Sequence, residues 1–184
     1  MGGFTRPYPL FSVCGLNCGL CPMHIGNYCP GCGGGPGNQP CKITRCSRQH
    51  GEIDYCFECT QFPCDKYDGI EQFDSFITHR HQLKDLKKAE SIGIEAYKAE
   101  LEEKMQILRY LLDNINDGRK KSFFCLAVNL LALNDVKAAV EQIKAQACAS
   151  SFSQKEKAAL AASALETVAA ERGIVLKLNK KLKV

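Results

Sequence analysis

Ten cysteines lie between Cys14 and Cys64: Cys14, Cys18, Cys21, Cys29, Cys32, Cys41, Cys46, Cys56, Cys59 and Cys64. Six of them form three CxxC pairs, Cys18/Cys21, Cys29/Cys32 and Cys56/Cys59. Two residues between cysteines permit a tight turn that aims both sulfurs at one ion, and Zn2+ accepts four thiolates in a tetrahedron without a d-electron preference of its own. All ten are therefore candidate metal ligands, enough for two four-cysteine sites with two thiolates over. Two Zn2+ ions are expected. Cross-brace and sequential pairings fit these spacings equally, so the spacing leaves open which cysteines share an ion. His24, three residues past Cys21, and His50 would raise the donor count to twelve, but an isolated His in a polar loop is more often simply exposed.

The alternative cofactor for the same thiolates is an iron–sulfur cluster. Cys14-x3-Cys18-x2-Cys21 has the spacing that holds a [4Fe–4S] cluster in radical S-adenosylmethionine enzymes. Those enzymes place the motif after the first strand of a large α/β barrel, whereas this chain offers neither strand–helix alternation nor sufficient length. A disulfide framework is disfavoured because the first residues, with a single Arg, two prolines and no continuous apolar run, do not read as a secretory signal. No run of about 18 apolar residues exists to span a membrane. A cytoplasmic protein is expected, and its reducing compartment turns the cysteines toward metal or redox chemistry.

The elements that must position these residues divide sharply by composition. Residues 1–67 carry all seven prolines and eleven of the fifteen glycines but no alanine, while residues 68–184 carry no proline. The first part is expected to be turns and short irregular pieces, with Gly31 to Asn38 a mobile loop or a series of tight turns. Its large apolar residues are few, so it needs staples; structural zinc contributes on the order of 10–16 kcal/mol in finger peptides. Chelation should then unfold this segment first.

Beyond Lys66 the apolar spacing is helical. Ile70, Phe73, Phe76 and Ile77 predict a short helix, and Leu83, Leu86 and Ala89 another that ends near Gly93. A long amphipathic helix is predicted from Ala96 to Asn116, stopped by Asp117-Gly118. Phe123 to Leu133 is apolar on nearly all sides and should lie at the centre. Asn134 can cap a helix reaching about Cys148, and Ser153 with Glu156 forms a capping box for a last helix ending at Gly173. The tail from Ile174 to Val184 alternates well enough for a short strand, or frays. The fold class is thus a small irregular cysteine-rich metal-binding module, 1–67, plus a mainly α helical bundle, 68–184.

Other constellations carry less. Cys125 lies in the most apolar helix and reads as a small hydrophobe; Cys148 reads as a bystander. No Ser-His-Asp set, paired-carboxylate motif or nucleotide fingerprint appears, so the balance leans away from an enzyme. The net charge is +4, but Lys177, Lys180, Lys181 and Lys183 supply that much alone. Each zinc on four thiolates is net −2 relative to four thiols, so two sites bring the whole to about zero. That disfavours nucleic acid as partner, apart from a small patch of Arg45, Arg48 and His50 with Tyr55 and Phe57 as stacking groups. An unidentified protein partner is the expectation, as for an interaction or regulatory adaptor; an iron–sulfur or thiol redox protein and an RNA- or DNA-associated zinc protein are the alternatives.

At Cys14-Gly15-Leu16-Asn17-Cys18-Gly19-Leu20-Cys21-Pro22, Cys29-Pro30-Gly31-Cys32, Cys41 to Cys46, and Cys56-Phe57-Glu58-Cys59-Thr60-Gln61-Phe62-Pro63-Cys64 the chain resembles the cysteine-rich prokaryotic family catalogued as domain of unknown function 3795. The likeness extends to Ser75 to Arg80 and Asp117 to Ala127. The resemblance implies a zinc-binding cysteine module of the bacterial and archaeal cytoplasm, without an established activity. His24 and His50 fall where that family is not expected to require a ligand.

Overall fold

The structure, a computed structural model, describes residues 4–38, 41–51, 53–149 and 151–181, without the side chains of 147–149. The reading of Cys148 as a bystander falls outside these. Among the described residues there are seven α-helices: α1 Pro22–Ile25, α2 Lys42–Gln49, α3 Gln82–Ile92, α4 Ile94–Tyr110, α5 Lys121–Leu130, α6 Leu133–Ala149 and α7 Gln154–Glu171. Among the described residues there is no strand, only a single antiparallel bridge between Thr5 and Gly34. Mainly helical with a cysteine-rich N-terminal region, the chain divides into two compact units, Met1–Leu101 with Leu178–Val184, and Glu102–Lys177. The division falls within α4. No helix of the described residues is long and apolar enough to cross a membrane.

The first unit is built around an aromatic core that the cysteine segment does not supply alone. Phe11 stacks on Tyr55 at 5.5 Å and meets Tyr97 of α4 at 4.5 Å, and Leu86, Ala89 and Leu101 close the same interior. Offset aromatic pairs add about 0.5–1.5 kcal/mol each to the area they bury. Buried Arg6 ties three stretches together: its guanidinium donates to the Phe11 carbonyl at 2.8 Å and the Asp54 carbonyl at 2.7 Å, and lies 4.8 Å from the Tyr55 ring centre. Asn17 links the segment to α3 and α4, donating to Asp85 at 2.9 Å and accepting from the Tyr97 hydroxyl at 3.0 Å. Gly15 sits where these elements meet. At φ +92° a Cβ there would lie 2.2 Å from the Gln82 carbonyl oxygen, so only glycine lets Cys14 approach the start of α3.

Three expectations are corrected in this unit. Residues 70–77 form turns and bends, not a helix. Asp74 explains this: its carboxylate accepts from the Thr78 hydroxyl at 3.2 Å and the His79 N–H at 2.7 Å, offering the backbone a partner that competes with helical bonds. The described part of the tail is not a strand; Asn179 exchanges backbone contacts with Asp74, its N–H donating to the carboxylate at 2.8 Å and its carbonyl accepting the Asp74 N–H at 2.7 Å. The cysteine segment also holds an eight-residue helix, α2, besides the single turn of α1. The Cys41 sulfur caps α2, accepting the Thr44 N–H at 3.4 Å, and Ile43, Cys46, Ser47 and His50 run down one face. The Gly31 to Asn38 stretch forms tight turns, anchored by Cys32 N–H to the Pro9 carbonyl at 2.9 Å and Arg6 N–H to the Gly33 carbonyl at 3.0 Å.

The second unit follows the sequence periodicity closely. The predicted long helix is present as α4, whose last turn, Leu111–Ile115, is π-helical and ends at Asn116. Leu108, Leu111, Ile115, Phe124, Leu131, Ile143 and Leu165 are fully buried. Within α7, Ala158, Ala161, Ala162 and Ala169 line the buried face with Leu165, and α6 and α5 pack against it. The Ser153–Glu156 capping box is formed as expected. Cys125, 2% exposed in α5, packs among these apolar side chains as the sequence predicts. Buried Lys104 donates to the Leu131 carbonyl at 2.8 Å, serving a carbonyl just past the end of α5.

Candidate metal centre

Two of the three CxxC pairs adopt the same turn. In Cys18–Leu20 and Cys56–Glu58 the chain makes one 3-10 turn, closed by the second cysteine's N–H to the first one's carbonyl at 3.0 and 3.1 Å. The closing residues match as well, Cys21 at φ −82°, ψ 132° and Cys59 at φ −82°, ψ 133°. Cys29/Cys32 differs, because the Cys32 N–H is spent on Pro9. The eleven cysteines with described side chains carry no disulfide. Cys14 is buried, Cys41 exposed, and the other eight of the segment half-buried.

The sulfurs fall into two neighbourhoods. Cys14 feels Cys41 and Cys32, while Cys18 feels Cys32, Cys14 and, more weakly, Cys21, and the Cys32 backbone bonds the Cys18 sulfur. The Thr44 hydroxyl lies 3.3 Å from the Cys41 sulfur and 3.9 Å from that of Cys32, and the Ser12 hydroxyl 3.2 Å from that of Cys14. In the second neighbourhood Cys56 feels Cys64, Cys46 and Cys59. These four cysteines line one small cavity of about 20 Å³, room for a single water-sized occupant, together with Ile43, Ser47, His50, Phe62, Lys66 and Tyr67. Between Cys59 and Cys64 the Phe62–Pro63 peptide is cis. Among the described residues no three His, Cys, Asp or Glu side chains are drawn into a set that could hold a metal ion as they stand.

Electrostatics marks both neighbourhoods as costly places for an unpaired thiolate. Burial pushes the Cys14 thiol up to about 12, opposed in part by the Ser12 hydroxyl, and pushes Cys56 up to about 11, opposed by the Tyr67 hydroxyl. Cys18 is raised for the same reason. Lys66, which lines the same cavity, is held above its ordinary range, first by Cys46 and then by Asp65.

Residues that the sequence did not single out support the sulfurs. Thr44, Ser12 and Tyr67 supply hydroxyls to them, and Tyr67 also lies 3.4 Å from the Cys14 carbonyl, between the two groups. No spacing rule announces such contacts. The histidines diverge: His50 lines the cavity and is exposed, whereas the His24 Nδ1 sits 3.0 Å from the Cys29 carbonyl oxygen. Tyr55, considered a stacking group, is 4% exposed and sandwiched between Phe11 and Phe57, so it presents no free face.

Residues 10–69 match the family model described as protein of unknown function (DUF3795), a span that contains all ten cysteines of the segment. The match ends before Ser75 to Arg80 and Asp117 to Ala127, so it does not cover the resemblance in those two stretches. No curated protein and no solved structure matches the chain.

Proposed function

We propose that the cysteine segment is a metal–thiolate module whose ion is Zn2+, structural in role, and that the protein serves as a cytoplasmic interaction or regulatory adaptor. The cavity lined by Cys46, Cys56, Cys59 and Cys64 carries this reading. Four thiols, none in a disulfide, border a space of ionic size, and hydroxyls are aimed at the sulfurs of both groups. Each cysteine sulfur turns on one χ1 bond with three wells, so side-chain rotation is the motion that would gather them. The donor set fits zinc, which binds thiolate at about 2.3 Å and deprotonates it on binding. Tyr28 and Phe76, 73% and 65% exposed on the first unit, are the kind of side chain that a protein partner would cover.

Elemental analysis with an absorption spectrum of freshly purified protein tests the reading. A colourless protein containing zinc is the expected result. Brown colour with visible absorbance and iron would replace it with the iron–sulfur alternative, and protein without metal would remove both.

A further inference from the structure

We infer that Tyr67 is a positioning residue for the metal: its hydroxyl donates to the Cys56 thiolate and holds that sulfur toward an ion in the cysteine-lined cavity. This rests on the metal-module reading above and goes further, since that reading names only the cysteines.

Three stretches of the chain meet at this hydroxyl. The Cys56 N–H donates to the Val13 carbonyl at 2.9 Å, which sets Cys56 beside the backbone of residues 13 and 14. The Tyr67 hydroxyl reaches the same place, donating to the Cys14 carbonyl at 3.4 Å, and it also bonds the Cys56 sulfur. Tyr67 and Cys56 line one cavity with Cys46, Cys59 and Cys64. The ring is fixed there. It is buried, it meets Phe62 edge-on at 5.7 Å, and the Tyr67 N–H donates to the Cys64 carbonyl at 3.0 Å. Tyr67 is thus carried by the 3-10 turn Asp65–Tyr67 that follows Cys64, and it brings its hydroxyl to Cys56.

Chemistry selects the sulfur over the carbonyl. A hydroxyl bond of 3.4 Å is long beside the usual range of about 2.5–3.0 Å, so the Cys14 carbonyl holds the proton weakly. A zinc-bound cysteine is a thiolate, and a charged acceptor binds a hydroxyl about twice as strongly as a neutral one. Without the hydroxyl, a thiolate taken out of water lacks a donor, the costly side of the exchange. Phe keeps the ring of Tyr and its contact with Phe62, so Tyr67→Phe removes the bond alone.

Competition of the full chain with a chromophoric chelator is expected to show affinity for one zinc ion about tenfold lower in Tyr67→Phe. A hydroxyl that served only the Cys14 carbonyl would stabilise the chain with and without zinc alike, so unchanged affinity overturns the assignment. Cobalt(II) in place of zinc gives a second readout. A thiolate relieved of its hydrogen bond is the better electron donor, so the thiolate-to-cobalt charge-transfer band is expected at longer wavelength in Tyr67→Phe, and a band that stays in place overturns the assignment. Should Tyr67→Phe fail to fold, the unaltered chain loaded with cadmium-113 decides. A proton–cadmium correlation spectrum is expected to couple the ion to a tyrosine hydroxyl proton through the Cys56 sulfur, and coupling to cysteine protons only overturns the assignment. An unaltered chain that takes up no metal overturns instead the reading on which the assignment rests.

Discussion

At the residue scale the sulfurs depend on hydroxyls that carry no signature of their own. Thr44 is buried with its oxygen near two sulfurs, and Val has nearly its shape without that oxygen. Thr44→Val is expected to lower zinc affinity about tenfold, the usual cost of losing a group that orients a ligand. Competition with a chromophoric chelator measures this, and unchanged affinity would mean the hydroxyl does not serve the metal. Arg6 works differently, through the backbone. Its removal strands the buried Phe11 carbonyl and the half-buried Asp54 carbonyl, so Arg6→Ala should destabilise the first unit by about 2–3 kcal/mol in urea unfolding. Arg6→Lys should recover little, because one ammonium cannot reproduce a planar fork that reaches two carbonyls and stacks on Tyr55.

At the scale of elements, α7 is held by a device that can be removed singly. In α7 the Ser153 hydroxyl accepts the Glu156 N–H, and the Glu156 carboxylate accepts the Ser153 N–H at 2.8 Å. Ser153→Ala should cost about 1 kcal/mol, read as an earlier urea midpoint at 222 nm. Bonds from Ser153 hold the Glu156 carboxyl below the usual carboxylate range. Their contribution is therefore complete above about pH 4.3, the unfolded value, and is lost as pH falls through the depressed one. The difference between Ser153→Ala and the unaltered chain should shrink in that acid window. The capping box was legible because its four residues are contiguous, whereas the failure of a helix at 70–77 was not. Asp74 decides that segment through Thr78, His79 and the distant Asn179, and apolar periodicity takes no account of a carboxylate that recruits backbone N–H groups.

For the molecule as a whole, the two units should respond differently to loss of metal. The chain has no Trp, and five of its six tyrosines lie in the first unit, so intrinsic fluorescence reports mainly on that unit. A strong chelator is expected to change tyrosine emission while most of the helical signal persists, since the second unit buries its own core of Leu108, Leu111, Phe124, Ile143 and Leu165. Simultaneous loss of both signals would show that the second unit does not stand without the first. From the sequence alone followed the ten clustered thiols, the helical remainder, the α7 cap and the buried character of Cys125. These depend on composition, on local spacing and on periodicity, all properties of neighbouring residues. Tertiary structure decided which sulfurs are neighbours, that Tyr55 is core, and that the cysteine segment completes its interior with Leu86, Tyr97 and Leu101. The reason is physical: the Thr44 hydroxyl of α2 lies near the Cys41 and Cys32 sulfurs while Cys46 of the same helix lines a cavity with Cys56, Cys59 and Cys64, a meeting of separate stretches that the number of residues between cysteines does not encode.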